Sequence, residues 1–115
     1  MELTHACRIT VRFQVPGFHR WPDAPEHRAY LRNDHRHLFH VEVSTPVDHH
    51  ERQIEFHDLM QEAEALFCQP TNWASCESMA YNLATRLSER HQGAPFTVSV
   101  FEDGEAGATV ELSPA

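Results

Sequence analysis

His35-Arg36-His37-Leu38-Phe39-His40-Val41-Glu42-Val43-Ser44-Thr45 is the stretch on which the chain turns. Phe39, Val41 and Val43 alternate with polar neighbours, the two-residue period of a half-buried strand. The same period puts His35 and His37 on one face of that strand. Two imidazoles on one face can chelate one metal ion, and a third ligand must come from elsewhere. Upstream, His19 follows a strand-like run and Pro16-Gly17. Three histidines with one coordination position left open is the donor set of a catalytic zinc site, because water or substrate takes the open position.

Outward from this stretch the chain reads as alternating strands and helices. Ile9, Val11, Phe13 and Val15 alternate with Arg8, Thr10, Arg12 and Gln14, which predicts a first strand over Cys7–Val15, with Pro16-Gly17 ending it as a turn. Asp23 to Asp34 is charged or interrupted by proline, with Leu31 its one aliphatic residue, and reads as a surface loop. The second strand covers His35–Thr45, and Pro46 stops it. His49-His50 sits in a polar loop or hairpin tip.

Leu59, Ala63, Leu66 and Phe67 have helical spacing over Asp58–Cys68, with Asp58 placed to cap the start. Met79, Leu83 and Leu87, with Ala80 and Ala84 beside them, predict a second helix from about Ser75 to Arg90, closed by Gly93 and Pro95. A third strand follows over Phe96–Phe101, then a hairpin connection over 102–107 and a short fourth strand from Thr109 to Leu112. The order β-β-α-α-β-β predicts one α+β domain over residues 1–115, an antiparallel four-stranded sheet with two helices on one face. Such a sheet has open edges, and a ring of copies would cover them.

Composition narrows the function. The formal charge is −8, from 17 acidic and 9 basic residues, and every basic residue is arginine. Nucleic acid needs a cationic surface, so this balance argues against it. The three cysteines, Cys7, Cys68 and Cys76, show no CxxC spacing, which argues against a disulfide framework or a Cys-rich zinc ribbon. No signal-like or membrane-length apolar run occurs, so a reduced, cytoplasmic protein is expected. The 10 histidines are the compositional oddity, and imidazole is the commonest metal ligand.

These motifs, in this order, resemble the tetrahydropterin synthase family, which includes 6-pyruvoyl-tetrahydropterin synthase and 6-carboxy-tetrahydropterin synthase. The points of resemblance are Phe18-His19, then His35-Arg36-His37 leading into Val41-Glu42-Val43, then Ile54-Glu55-Phe56-His57-Asp58-Leu59 at the first helix. Ala74-Ser75-Cys76-Glu77-Ser78 at the second helix and Val100-Phe101-Glu102 at the third strand complete them. The resemblance implies the T-fold and zinc held by His19, His35 and His37. It also implies a pterin-like substrate anchored by Glu102, lyase chemistry of a deazapurine or queuosine-type pathway, and a trimer or a dimer of trimers closing into a barrel.

A carboxylate such as Glu102 can accept two parallel hydrogen bonds from an amino-pyrimidinone edge. Cys76 opens the second helix, where a thiol pKa falls and thiolate is favoured, although a cysteine there is more often a small half-buried residue. His57 is a candidate general base, with an ordinary pKa near neutrality, and can equally be a surface residue. His40 faces away from His37 and reads as a network partner or a second candidate for proton movement. Phe18 reads as core, and Trp21 as either core or a stacking platform.

The chain departs from the family at three places. Leu31 stands four residues before His35, where the family carries its catalytic cysteine. The family's Asp-His step after the first helix has no counterpart, and Arg36 replaces the glycine between the paired histidines. Two rivals therefore stand beside a zinc-dependent lyase. One is a binding protein that keeps zinc and ring pocket without turnover, and the other is a T-fold subunit whose histidines hold no metal.

Overall fold

The structure, a computed structural model, describes residues 1–67 and 74–114. Its elements are β1 (Cys7–His19), β2 (His35–Val47), α1 (Phe56–Phe67), α2 (Cys76–Arg90), β3 (Thr97–Glu102) and β4 (Ala106–Glu111). The four strands form one antiparallel sheet in the order β1-β2-β3-β4. Among the described residues no helix is long and apolar enough to cross a membrane.

The core lies between the sheet and the two helices. Phe39, Val41 and Val43 of β2 meet Val98 and Val100 of β3, and all are nearly or wholly buried. Leu59 and Ala63 of α1 close over them with Ala80, Leu83, Ala84 and Leu87 of α2. Both helices bury an i, i+4 stripe, which their sequence spacing dictates. The Ser75 hydroxyl accepts the Ser78 N–H at 3.1 Å and caps α2. At α1 the cap differs from the sequence expectation. The Glu55 carboxylate, not Asp58, accepts the N–H groups of His57 and Asp58 at 2.9 and 3.3 Å.

The first hairpin is longer than the sequence predicts. β1 runs through Pro16-Gly17 to His19, and β2 runs past Pro46 to Val47. The two 13-residue strands pair from Cys7 opposite Val47 to His19 opposite His35. A proline survives here because β1 is an edge strand, where a missing N–H costs the sheet no ladder bond. Gly17 survives because a Cβ there would meet the Phe39 ring at 3.0 Å. The expected surface loop between the strands contains 3₁₀ turns over Glu26–Arg32, broken at Arg28. At the other hairpin, Asp103 and Gly104 both have positive φ, +54° and +73°. They are the central residues of a mirror-image turn closed by the Glu105 N–H on the Glu102 carbonyl at 2.9 Å, and with Glu105 they make a three-residue connection from which β4 begins at Ala106.

Candidate metal centre

Pairing, not sequence proximity, assembles the site. His19 ends β1 directly opposite His35, and His37 lies two residues along the same face of β2. The ring centroids are 4.5 Å apart for His19 and His35, 4.8 Å for His35 and His37, and 5.1 Å for His19 and His37. One ligating atom from each ring lies within 4.8 Å of the other two, a group that can hold a metal ion. Phe39 packs edge-on against His19 and His37 and forms an apolar floor.

Hydrogen bonds select which nitrogen each ring presents. His19 Nδ1 lies 2.9 Å from the Ala74 carbonyl, and His35 Nδ1 lies 3.0 Å from the Asn33 carbonyl. His37 Nδ1 lies 2.8 Å from Oδ2 of Asp103. Each partner is an oxygen that only accepts, so each Nδ1 carries the proton and donates. In the neutral ring Nε2 is then the lone-pair atom, the arrangement that orients histidine toward a metal. The Nε2 atoms of His19 and His37 are buried and have no hydrogen-bond partner. Buried polar atoms without partners are rare, and a cation among the three rings would satisfy these two. The residues present fit a metal ion.

Acidic groups from the β3–β4 turn complete the surroundings. Glu102 Oε1 lies 3.3 Å from Nε2 of His19, and Oε2 lies 3.3 Å from Nε2 of His37; neither contact has hydrogen-bond geometry. Asp103 is clamped between elements: its Oδ1 accepts the Leu38 N–H at 2.9 Å, and its own N–H donates to the Leu38 carbonyl at 2.7 Å. The hydrogen bond from His37, then that from Leu38, hold the Asp103 carboxyl below the ordinary carboxylate range. Sequence reasoning missed Asp103. The available signal was its place in an Asp-Gly turn directly after Glu102.

Cys76 lies at the same end of the sheet, buried, with its Sγ–H donating to Glu102 Oε1 at 3.8 Å. Burial first, then the charges of Glu102 and Glu77, push its thiol up to about 12. Of the two sequence readings of Cys76, the small buried residue therefore holds and the thiolate does not. A cavity of about 510 Å³ opens beside the imidazoles, and its lining includes His19, His35, Glu102, Cys76, Trp21 and Leu31. Leu31, where the resembling family has its cysteine, therefore does face the cavity. Trp21 is half exposed, free on one side to stack, whereas Phe18, expected in the core, is 51% exposed.

The remaining candidates lie apart. His40 sits on the other face of the sheet, its ring against Gly104. There it lines a hollow of about 600 Å³ with Arg12 and Glu42, which neutralise each other in a 2.8 Å ion pair. His57 is exposed at the start of α1, paired with Glu55 at 3.3 Å and edge-on to Phe56. It is Phe67, at the opposite end of α1, that reaches Phe39 beneath the imidazoles. Cys68 lies outside the described residues. No protein-family model matches the chain, and no curated protein matches it.

Proposed function

We propose that the chain is a zinc-dependent, 6-carboxy-tetrahydropterin synthase-like lyase acting on a pterin or related flat heterocycle of a deazapurine or queuosine-type pathway. The observation that carries the reading is the convergence of the His19, His35 and His37 rings, each with Nδ1 tied off, beside a cavity that also contains Glu102. His19, His35 and His37 would hold the ion through Nε2. Zinc, when bound, would supply Lewis acidity toward oxygens on the heterocycle's side chain. Glu102 would accept paired N–H bonds from the ring edge, Trp21 would cover the ring face, and Asp103 keeps His37 in its ligating tautomer. Of the three side chains named for proton movement, only Cys76 lines the cavity, and it carries its proton at neutral pH. It would therefore act as a donor rather than a nucleophile. Association of copies through the edge strands β1 and β4 is part of this reading.

A second reading, a protein that holds zinc and ring without turnover, is favoured by Leu31 facing the cavity and by the protonated Cys76 thiol. Metal analysis, ring binding and turnover by the zinc-loaded chain separate the possibilities. His37→Ala is expected to abolish stoichiometric zinc. Glu102→Gln is expected to lose pterin binding while zinc stays. Ring binding without turnover would establish the second reading, and absence of zinc from the wild-type chain would remove both.

A further inference from the structure

The β1–β2 ladder has histidines at both of its ends. At one end it sets His19 opposite His35. At the other, Cys7 opposite Val47 is the terminal pair, with an irregular segment before Cys7 and a polar loop after Val47. His5 of that segment and His50 of that loop meet across the end of the hairpin. Their Nε2 atoms are 3.2 Å apart and their ring centroids 5.1 Å, with the ring planes tilted by 53°. Both residues are exposed. A 13-residue strand spans about 40 Å, so this pair lies well beyond reach of the cavity and its three imidazoles.

The separation is that of two donor atoms on one ion. Two nitrogens, each about 2.1 Å from a metal with about 100° between the bonds, lie about 3.2 Å from each other. Without an ion, one Nε2 must donate and the other accept. With an ion, both turn a lone pair toward it. The loop holds His50 in place beforehand. Gln53 Oε1 accepts the N–H groups of Asp48 and His49 at 2.6 and 3.3 Å, and His49 Nδ1 accepts the Glu51 N–H at 3.1 Å. That last bond gives His49 a role inside the loop. Among the described residues no third histidine, cysteine or carboxylate converges with His5 and His50, so water would complete the shell. Asp48 and Glu51 flank the His49-His50 pair in sequence, in a chain of formal charge −8, and both favour a cation there.

We propose that His5 and His50 form a second metal site, a two-imidazole clamp for a late first-row divalent ion of the nickel, copper and zinc group. Imidazole suits these ions, whereas magnesium and calcium take oxygen donors. The clamp has one protein ligand fewer than the His19, His35 and His37 group, so it is the weaker and more exchangeable of the two. Its occupant ties the irregular residues before Cys7 to the loop that leads into α1. This site is independent of the heterocycle reading.

The test titrates the zinc-loaded full chain with nickel(II), counting equivalents by calorimetry and mapping them by amide NMR. One further equivalent is expected, perturbing signals around His5 and His50 and leaving those around His19, His35 and His37 unchanged. His5→Ala and His50→Ala are each expected to lose that equivalent and keep their zinc. Both side chains are exposed, so neither change threatens the fold. His37→Ala disables the other centre and is expected to show the same perturbation around His5 and His50, so the clamp is judged whatever the three-histidine centre does. Magnesium(II) in place of nickel(II) is expected to bind at neither position. A wild-type chain whose His5 and His50 signals ignore nickel(II) would overturn the proposal, as would a nickel equivalent at this end of the hairpin that survives either alanine change.

Discussion

Deleting the Asp103 carboxylate is expected to weaken metal binding at a site of which Asp103 is not a ligand. Each imidazole is aimed through its Nδ1–H. Two of the acceptors are main-chain carbonyls, those of Ala74 and Asn33, which no substitution removes. Asp103 is the third acceptor and the only side chain among them, bonding His37 at 2.8 Å while Leu38 N–H holds its other oxygen at 2.9 Å. Outer-shell partners of this kind carry about 10–100-fold in metal affinity. The short bond and the doubly held carboxylate place Asp103 in that range. Asp103 also sits at φ +54°, so alanine there adds strain of its own. Asp103→Gly keeps the turn and loses only the carboxylate, which makes it the decisive variant. Its zinc affinity, measured by competition with a chromophoric chelator, is expected to fall about 10–100-fold. The ¹⁵N shifts of the His37 ring are expected to show mixed tautomers. Asp103→Asn is expected to fall between, because an amide oxygen can serve His37 or Leu38 but not both. Unchanged affinity and an unchanged His37 tautomer in Asp103→Gly would refute the reasoning.

Three further outcomes follow from the same geometry. Zinc at one hundred times its Kd adds about 2.7 kcal/mol to stability, roughly 10 °C in Tm for a chain of this length, so chelation should lower the melting curve by about that amount; a curve indifferent to chelator would count against a folded-state site. Gly107→Ala places a Cβ against the Val100 carbonyl and 2.6 Å from Phe101 Cα, both main chain, so β3 and β4 must part; a loss of about 1–3 kcal/mol or more is expected in urea melts, and an unchanged midpoint would show the clash is absorbed. Burial pushes the Glu62 carboxyl up, but the hydrogen bonds and charges of Arg90 and His91 more than reverse this, and its net pKa lies below the ordinary value. Its contribution is therefore complete above the ordinary carboxylate pKa and fades as pH falls through the lowered one. Glu62→Gln should cost no more than about 1 kcal/mol at neutral pH, and the difference from wild type should vanish in strong acid; a difference independent of pH would refute it.

The elements that were legible in the sequence are those whose burial is one-sided. The alternation Phe39-Val41-Val43 and the stripe through Ala80, Leu83, Ala84 and Leu87 fall on the buried face as their spacing requires. Ends were harder to read, because proline and glycine have two meanings. Pro16-Gly17 and Pro46 look like stops, yet β1 is an edge strand that tolerates the first, Pro46 lies beyond the last β2 residue paired with β3, and only the Phe39 ring over Gly17 shows why the glycine is there. At the site, His19, His35 and His37 were legible because period-two spacing and a hairpin bring them to one face. Asp103 was not, because its partner is 66 positions away and depends on the φ of a turn. For Cys76 the small buried residue that the sequence favours is what the structure has, and the thiolate alternative fails because burial and the Glu102 carboxylate that packs against the thiol outweigh helix position.

The pairing of β1 with β2 also works as a ruler for how this protein tolerates change. His19 and His35 are held opposite one another by the ladder itself, not by the chain that joins them. Extra residues inserted within 22–33 would lengthen that excursion and leave the chelating trio undisturbed. A single residue inserted into β1 after Phe13 would turn His19 to the reverse side of the sheet. Lineages and designers alike can therefore remodel the rim of the cavity freely, while the strands beneath it admit no change that breaks the pairing of His19 with His35.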